Sequence, residues 1–186
     1  MKYTFRWISD SNELDLVWNE YLNILNQSVN DKAILGFNSN ALSFDIFKKF
    51  VEIHTDIGLL TTLLVYHSTE QPKLIATCQI KTSFQDTSKH IADIQKGIID
   101  KNFRGTEVLP MTLKEIVRYC DKKNIDILTL DVRENTIAHR TWLRYGFKTY
   151  GILPSYSYYE GNSFNGVFMY TKNSELSKLL DSLIET

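Results

Sequence analysis

Two strand-like runs, LLTTLLVYH from Leu59 to His67 and KLIATCQIK from Lys73 to Lys81, stand on either side of the short polar turn STEQP. Runs rich in β-branched residues, this close together, predict an antiparallel hairpin in the middle of the chain. A third strand-like run, HIADIQKGIID, follows from His90 to Asp100. Beyond it the period changes: Leu109, Leu113, Ile116, Val117 and Cys120 form the apolar stripe of a helix over Thr106–Lys122. DILTLDV predicts another strand, and ENTIAHRTWLRY a helix capped by Asn135. FKTYGIL and GVFMYTK predict two more strands around a loop rich in Tyr, Ser and Asn, and SELSKLLDSLIE a closing helix.

Ahead of the hairpin, YTFRWI predicts a strand. Leu14, Val17, Trp18, Tyr21, Ile24 and Leu25 recur at helical spacing, with Ser11 or Asn12 as the cap. Asn26–Leu42 is polar and is expected to be a loop. A second helix is expected over Ser43–Ile53, with Phe44, Phe47, Phe50 and Val51 on one face. Hairpins followed by strand–helix–strand crossovers imply an α/β (α+β) fold, a mixed sheet with helices on both faces. Open sheets of this kind bind ligands beyond the carboxyl ends of strands where the connections diverge. That points to Ile99–Thr106.

The chain has 186 residues, enough for one domain, expected over 1–186. A formal charge of −1 gives no global attraction to nucleic acid or to an anionic membrane. No run approaches the ~18 apolar residues of a membrane helix. MKYTFRWISDSNELD breaks into charge too early for a signal peptide, so a cytoplasmic protein is expected. Cys78 and Cys120 have no CxxC spacing and are expected to be small buried hydrophobes. His54, His67 and His139 make no metal spacing with nearby Cys, Asp or Glu, so no metal site is expected.

Three pieces, in this order, resemble the GNAT superfamily of N-acetyltransferases: HIADIQKGIIDKNFRG, NTIAHRTWLRYGF, and YGILPSYSYYEG followed by GVFMYTK. The last is similar to the closing strands of small-amine, tabtoxin-resistance-type members. The resemblance implies a mostly antiparallel, splayed sheet and acetyl transfer from acetyl-coenzyme A to a primary amine of a small molecule. Two alternatives are a protein N-terminal or lysine acetyltransferase, and a binding or regulatory protein on the same scaffold. It further implies a monomer or homodimer.

Carried over residue by residue, the resemblance assigns the pantetheine arm to the strand end at Gly97, Ile98 and Ile99. Gly97 is compatible with a bulge. The pyrophosphate falls to Arg104, Gly105, Thr106, Val108 and Leu109, where a helix start offers free N–H groups and a favourable dipole. The family's pattern there has small residues where this chain has Glu107 and Leu109, so a carboxylate is expected beside the phosphates. Asn135 and Trp142 are assigned to the cofactor as well. Trp142 stands where the family often has a tyrosine acid, and Tyr145, one turn on, is the candidate in its place, with Tyr156, Tyr158 and Tyr159 as others. Asp93 is the candidate base.

Overall fold

The computed structural model describes residues 2–30 and 44–183. Its elements are β1 (Tyr3–Ile8), α1 (Ser11–Asn30), α2 (Phe44–Asp56), β2 (Leu60–His67), β3 (Lys73–Thr82), β4 (Ile91–Ile99), a 3₁₀ turn (Lys101–Phe103), α3 (Val108–Lys123), β5 (Ile127–Arg133), α4 (Ile137–Arg144), β6 (Lys148–Tyr159), β7 (Asn162–Lys172) and α5 (Asn173–Ser182). The strands form one seven-stranded, mostly antiparallel sheet in the order β1-β2-β3-β4-β5-β7-β6. The chain divides into two compact units, residues 1–82 with 94–112 and residues 83–93 with 113–186. β4 and α3 each contribute to both.

In the first unit, β2 and β3 are the expected hairpin, paired from Leu60↔Lys81 to His67↔Lys73. The core gathers Leu14, Trp18, Tyr21 and Leu25 of α1, Phe47 and Val51 of α2, Leu64 of β2 and Ile98 of β4. Trp18, Tyr21 and Phe47 meet with ring centroids 5.8–6.3 Å apart, a separation at which aromatic pairs attract. Three sequence expectations are corrected here. Asp10 caps α1, accepting from the Glu13 N–H at 2.9 Å, rather than Ser11 or Asn12. Asn26–Asn30 extends α1 instead of opening a loop, while residues 31–42 lie outside the described residues. Phe50 is half exposed and stacks on His54 at 4.0 Å, so it does not share the buried face of Phe47 and Val51.

In the second unit, Leu128 and Leu130 of β5, Val167 and Met169 of β7, Leu113, Ile116 and Cys120 of α3, and Leu176 and Leu180 of α5 are buried. β4 runs parallel to β5 through Ile91↔Ile127, Ala92↔Leu128 and Asp93↔Thr129. β5 continues against β7 to Arg133↔Gly166. The Tyr-, Ser- and Asn-rich stretch expected as a loop is strand: Ser157, Tyr158 and Tyr159 pair with Phe164, Ser163 and Asn162. Glu160 (φ 48°) and Gly161 (φ 77°) make the left-handed pair that a two-residue hairpin turn demands. Between Leu153 and Ser157 the ladder is irregular. Pro154, which has no N–H to donate, and left-handed Ser155 (φ 53°) fall in that interval.

Candidate active site

The phosphate-loop candidate is built entirely within the first unit. β4 ends at Ile99, and Asp100 turns the chain: its Oδ1 accepts from the Asn102 N–H at 2.9 Å and its Oδ2 from Lys73 Nζ at 2.7 Å. Burial pushes the Asp100 carboxyl up, but the Lys73 bond, the Asn102 amide and Lys101 outweigh it and hold it below the usual range. This buried Asp was not singled out from sequence. An Asp two residues before an Asn is the local signal, because its carboxylate can close a turn on the second amide.

Arg104 is exposed and folds its Nε back onto the Ile99 carbonyl at 3.0 Å. Gly105 follows at φ +76°, a left-handed backbone with no atom within 4 Å of where a Cβ would sit. The helix starts at Val108, not Thr106. Thr106 donates its hydroxyl to the Phe103 carbonyl at 2.7 Å and accepts from the Val108 N–H at 3.4 Å. Gly105, Thr106 and Leu109 have no main-chain N–H partner among the described residues. Val108 is fully buried and Ile98 nearly so, leaving main chain, and not their side chains, to face any ligand; Ile99 and Leu109 are half-buried.

Glu107, the carboxylate expected beside the phosphates, is paired in the structure. Its Oε1 accepts from Lys2 Nζ and, at 3.1 Å, from the Tyr3 hydroxyl. The Lys2 bond, the residue's own N–H and the Tyr3 bond together draw the Glu107 carboxyl down to about 2. The charge is thus neutralised by the start of β1, which no local reading of the loop contains. The left-handed residue of β4 is Lys96 (φ 49°), next to the expected Gly97. A cavity of about 370 Å³ adjoins the turn, lined by Ser28, Lys73, Ile99, Asp100, Lys101 and Arg104 among others.

The remaining candidates lie in the second unit. Thr136, not Asn135, caps α4, accepting from the His139 N–H at 3.1 Å. Asn135 is exposed in a left-handed turn (φ 61°), its N–H bonded to His139 Nδ1 at 3.3 Å and its carbonyl to Arg140 at 3.2 Å. Trp142 is half-buried, edge-on to Phe147 at 5.0 Å. Tyr145 is buried at the end of α4, and burial pushes its hydroxyl up, so it keeps its proton at neutral pH.

Asp93 is half-buried and accepts from the Thr129 hydroxyl at 2.9 Å. Two residues along β5, on the same face, is Asp131, close enough to Tyr156 for its charge to act on that hydroxyl. Burial, then Asp131 and Asp93, push the Tyr156 hydroxyl up. The irregular stretch of β6 lays the Tyr156 ring across Gly166, where any Cβ would meet it at 2.5 Å, and beside Phe168 at 5.3 Å. Tyr150 completes the aromatic row, 6.3 Å from Phe168 and 6.1 Å from Tyr170. Asp131 escaped the sequence reading because an acid at an exposed strand position carries no signal until its cross-strand neighbours are known.

No protein-family model matches the chain, and no curated protein matches its sequence. Solved structures do. The chain is similar to the GNAT-family acetyltransferase of Streptococcus pneumoniae (TM-score 0.72, 18% identity, 91% of this chain and 99% of that one). It is similar to the spermidine N-acetyltransferase of Vibrio cholerae, solved with CoA and spermine (0.69, 20%, 94% and 98%). It is also similar to the ribosomal-protein-alanine N-acetyltransferase of Brucella melitensis (0.69, 15%, 91% and 99%). Over nearly its whole length, the chain has the fold of the GNAT acetyltransferases.

Proposed function

We propose that the chain is an N-acetyltransferase that moves the acetyl group of acetyl-coenzyme A onto a primary amine of a small molecule, with both units acting as one acyltransferase domain. One observation carries this reading. The turn after β4 combines a left-handed glycine in open space, three main-chain N–H groups without partners among the described residues, and the start of a helix. That is what a pyrophosphate needs: donors already oriented, a favourable dipole, and room for close approach. Lys101 and Arg104 line the adjoining cavity, where Lys73 is paired with the Asp100 carboxylate, and Lys2 is paired with Glu107. The residues present therefore fit the cofactor, and the spermidine acetyltransferase of the same fold was solved with CoA.

Bound there, acetyl-coenzyme A supplies an activated thioester carbon. We assign Ile98, Ile99, Arg104, Gly105, Thr106, Val108 and Leu109 to holding it, largely by main chain, with Asn135 and Trp142. Asp93 takes one proton from the acceptor ammonium, giving the neutral amine that attacks the carbonyl. A C–N bond forms and the C–S bond breaks. The second nitrogen proton would pass to solvent as the amide forms, and Tyr145 would protonate the departing thiolate and regain a proton from solvent. Thr129 holds the Asp93 carboxylate in place.

Calorimetric titration with acetyl-coenzyme A, followed by thiol release in the presence of amines, tests the reading. Binding that is lost in Gly105→Val, with the fold intact, is the expected result. No binding at millimolar cofactor would overturn it and favour a regulatory protein on the same scaffold.

A further inference from the structure

The second unit carries more acidic and aromatic chemistry than acetylating a simple amine requires. Thr129, Asp131 and Arg133 alternate with buried Leu128 and Leu130, so they share the opposite face of β5. The register places Tyr170 and Phe168 of β7 beside Thr129 and Asp131. Asp93 joins this face through the Thr129 hydroxyl, and Tyr156 crosses to it over Gly166.

Two carboxylates thus stand one register step apart. Two residues of strand rise separate their positions by about 7 Å along β5. An extended four-carbon diamine spans roughly 6 Å between nitrogens, for bond lengths near 1.5 Å. Tyr170 and Phe168, the register partners of Thr129 and Asp131, bring rings to the same face; aromatic rings attract alkylammonium groups and cover methylenes at the same time.

Beyond Asp131 the sign changes. Arg133 is two residues further along, its Nε on Ser157 Oγ at 3.1 Å and its guanidinium 4.3 Å from the Phe164 ring centroid and 5.4 Å from that of Tyr159. Its Nη2 is buried and has no hydrogen-bond partner among the described residues. A cation wedged between rings, with no carboxylate hydrogen-bonded to it, repels a further ammonium.

We infer that the acceptor is a short α,ω-diamine: Asp93 serves the nitrogen that is acetylated, Asp131 holds the second ammonium over Tyr156 and Phe168, and Arg133 ends the site. This rests on the acetyltransfer reading and makes Asp131 a specificity-determining residue within it. The second ammonium keeps its proton throughout, so the chemistry at the first nitrogen is unchanged. Tyr156, laid over Gly166 and beside Phe168, brings its ring within reach of the Asp131 charge.

The experiment compares 1-aminobutane, 1,4-diaminobutane and spermidine as acceptors for the wild type, Asp131→Asn and Arg133→Gln, and measures 1,4-diaminobutane binding by calorimetry without cofactor. In the wild type, kcat/KM for the diamine should exceed that for the monoamine by at least tenfold, with spermidine below the diamine. Asp131→Asn should bring the diamine-to-monoamine ratio close to one, mainly through KM, while the monoamine rate stays within about twofold. Arg133→Gln should raise spermidine relative to the diamine. An unchanged ratio in folded, active Asp131→Asn overturns the inference and leaves the acetyltransfer reading standing. Diamine binding that Asp131→Asn abolishes, with no acetyl transfer to any amine, overturns that reading and keeps the diamine site. Neither binding nor turnover overturns both.

Discussion

The turn at Arg104–Leu109 and the face around Asp131 both carry a carboxylate where a ligand is expected, and the protein treats the two in opposite ways. Glu107 is given a cation and a phenol, Lys2 and Tyr3. Asp131 has the Tyr156 hydroxyl within range of its charge, and no cation is bonded to it among the described residues. The first carboxylate is paired with a cation beside the turn proposed to hold an anion. The second has no such cation and shares its face with the Phe168 ring. A residue type therefore says little about a site until its partner is known, because a carboxylate's effect at a distance is set by the charge that remains after pairing.

The largest effect expected is at Asp93. Asp93→Asn should lower the acetylation rate per folded molecule by roughly 10²–10⁴-fold, the usual worth of positioned proton transfer, with acetyl-coenzyme A affinity unchanged. Raising the pH should partly restore the rate, since more amine arrives neutral. Full activity in a stable variant would remove Asp93 from the mechanism.

Next is Gly166→Ala, which sets a methyl 2.5 Å from the Tyr156 ring. Overpacking of this kind costs about 1–3 kcal/mol. Urea unfolding should report that loss, and the diamine preference should fall as Tyr156 moves off Asp131. A variant that kept both would show that the Tyr156 ring is free to leave.

Lys2→Ala sharpens the contrast from the other side. Uncovering Glu107 should weaken acetyl-coenzyme A binding several-fold at low salt and less at high salt, because an exposed charge is screened within about 10 Å at 0.1 M. Adding Glu107→Gln to Lys2→Ala should restore affinity. If Lys2→Ala binds like the wild type, Glu107 does not reach the phosphates.

The smallest effect is on acid stability. The Glu107 carboxyl is depressed from 4.5 to about 2 by Lys2, its own amide and Tyr3. A group whose folded value is lowered contributes stability that is present above its unfolded value and is lost as pH falls toward the folded one. The wild type should therefore lose a slight advantage over Glu107→Gln between about pH 4.5 and 2, seen as converging melting temperatures. The pair lies at the surface, which keeps that advantage slight.

Much of the fold was legible because each element writes its period into neighbouring residues. The β2–β3 hairpin, α3 and the segment order follow from apolar spacing and turn residues alone. The β6–β7 extension did not, because Tyr156, Ser157 and Tyr158 alternate no apolar face and their strand identity comes from pairing across the turn at Glu160–Gly161. Caps were misplaced by one residue, at Asp10 and Thr136, since adjacent Ser, Asn, Asp and Thr are chemically equivalent caps until the backbone selects one.

By itself the sequence determined the hairpin, the strand-to-helix turn with its lone Gly105, and Asp93 as an acid on the strand leading to it. These are local properties, fixed by periodicity and by which residues tolerate left-handed backbone. Only the tertiary structure decided that Glu107 is paired with Lys2 and Tyr3, over a hundred residues away in the chain, and that Tyr156 comes within reach of the Asp131 charge. Charge compensation and cross-strand contact act through space, and no spacing along the chain encodes which distant side chain will arrive.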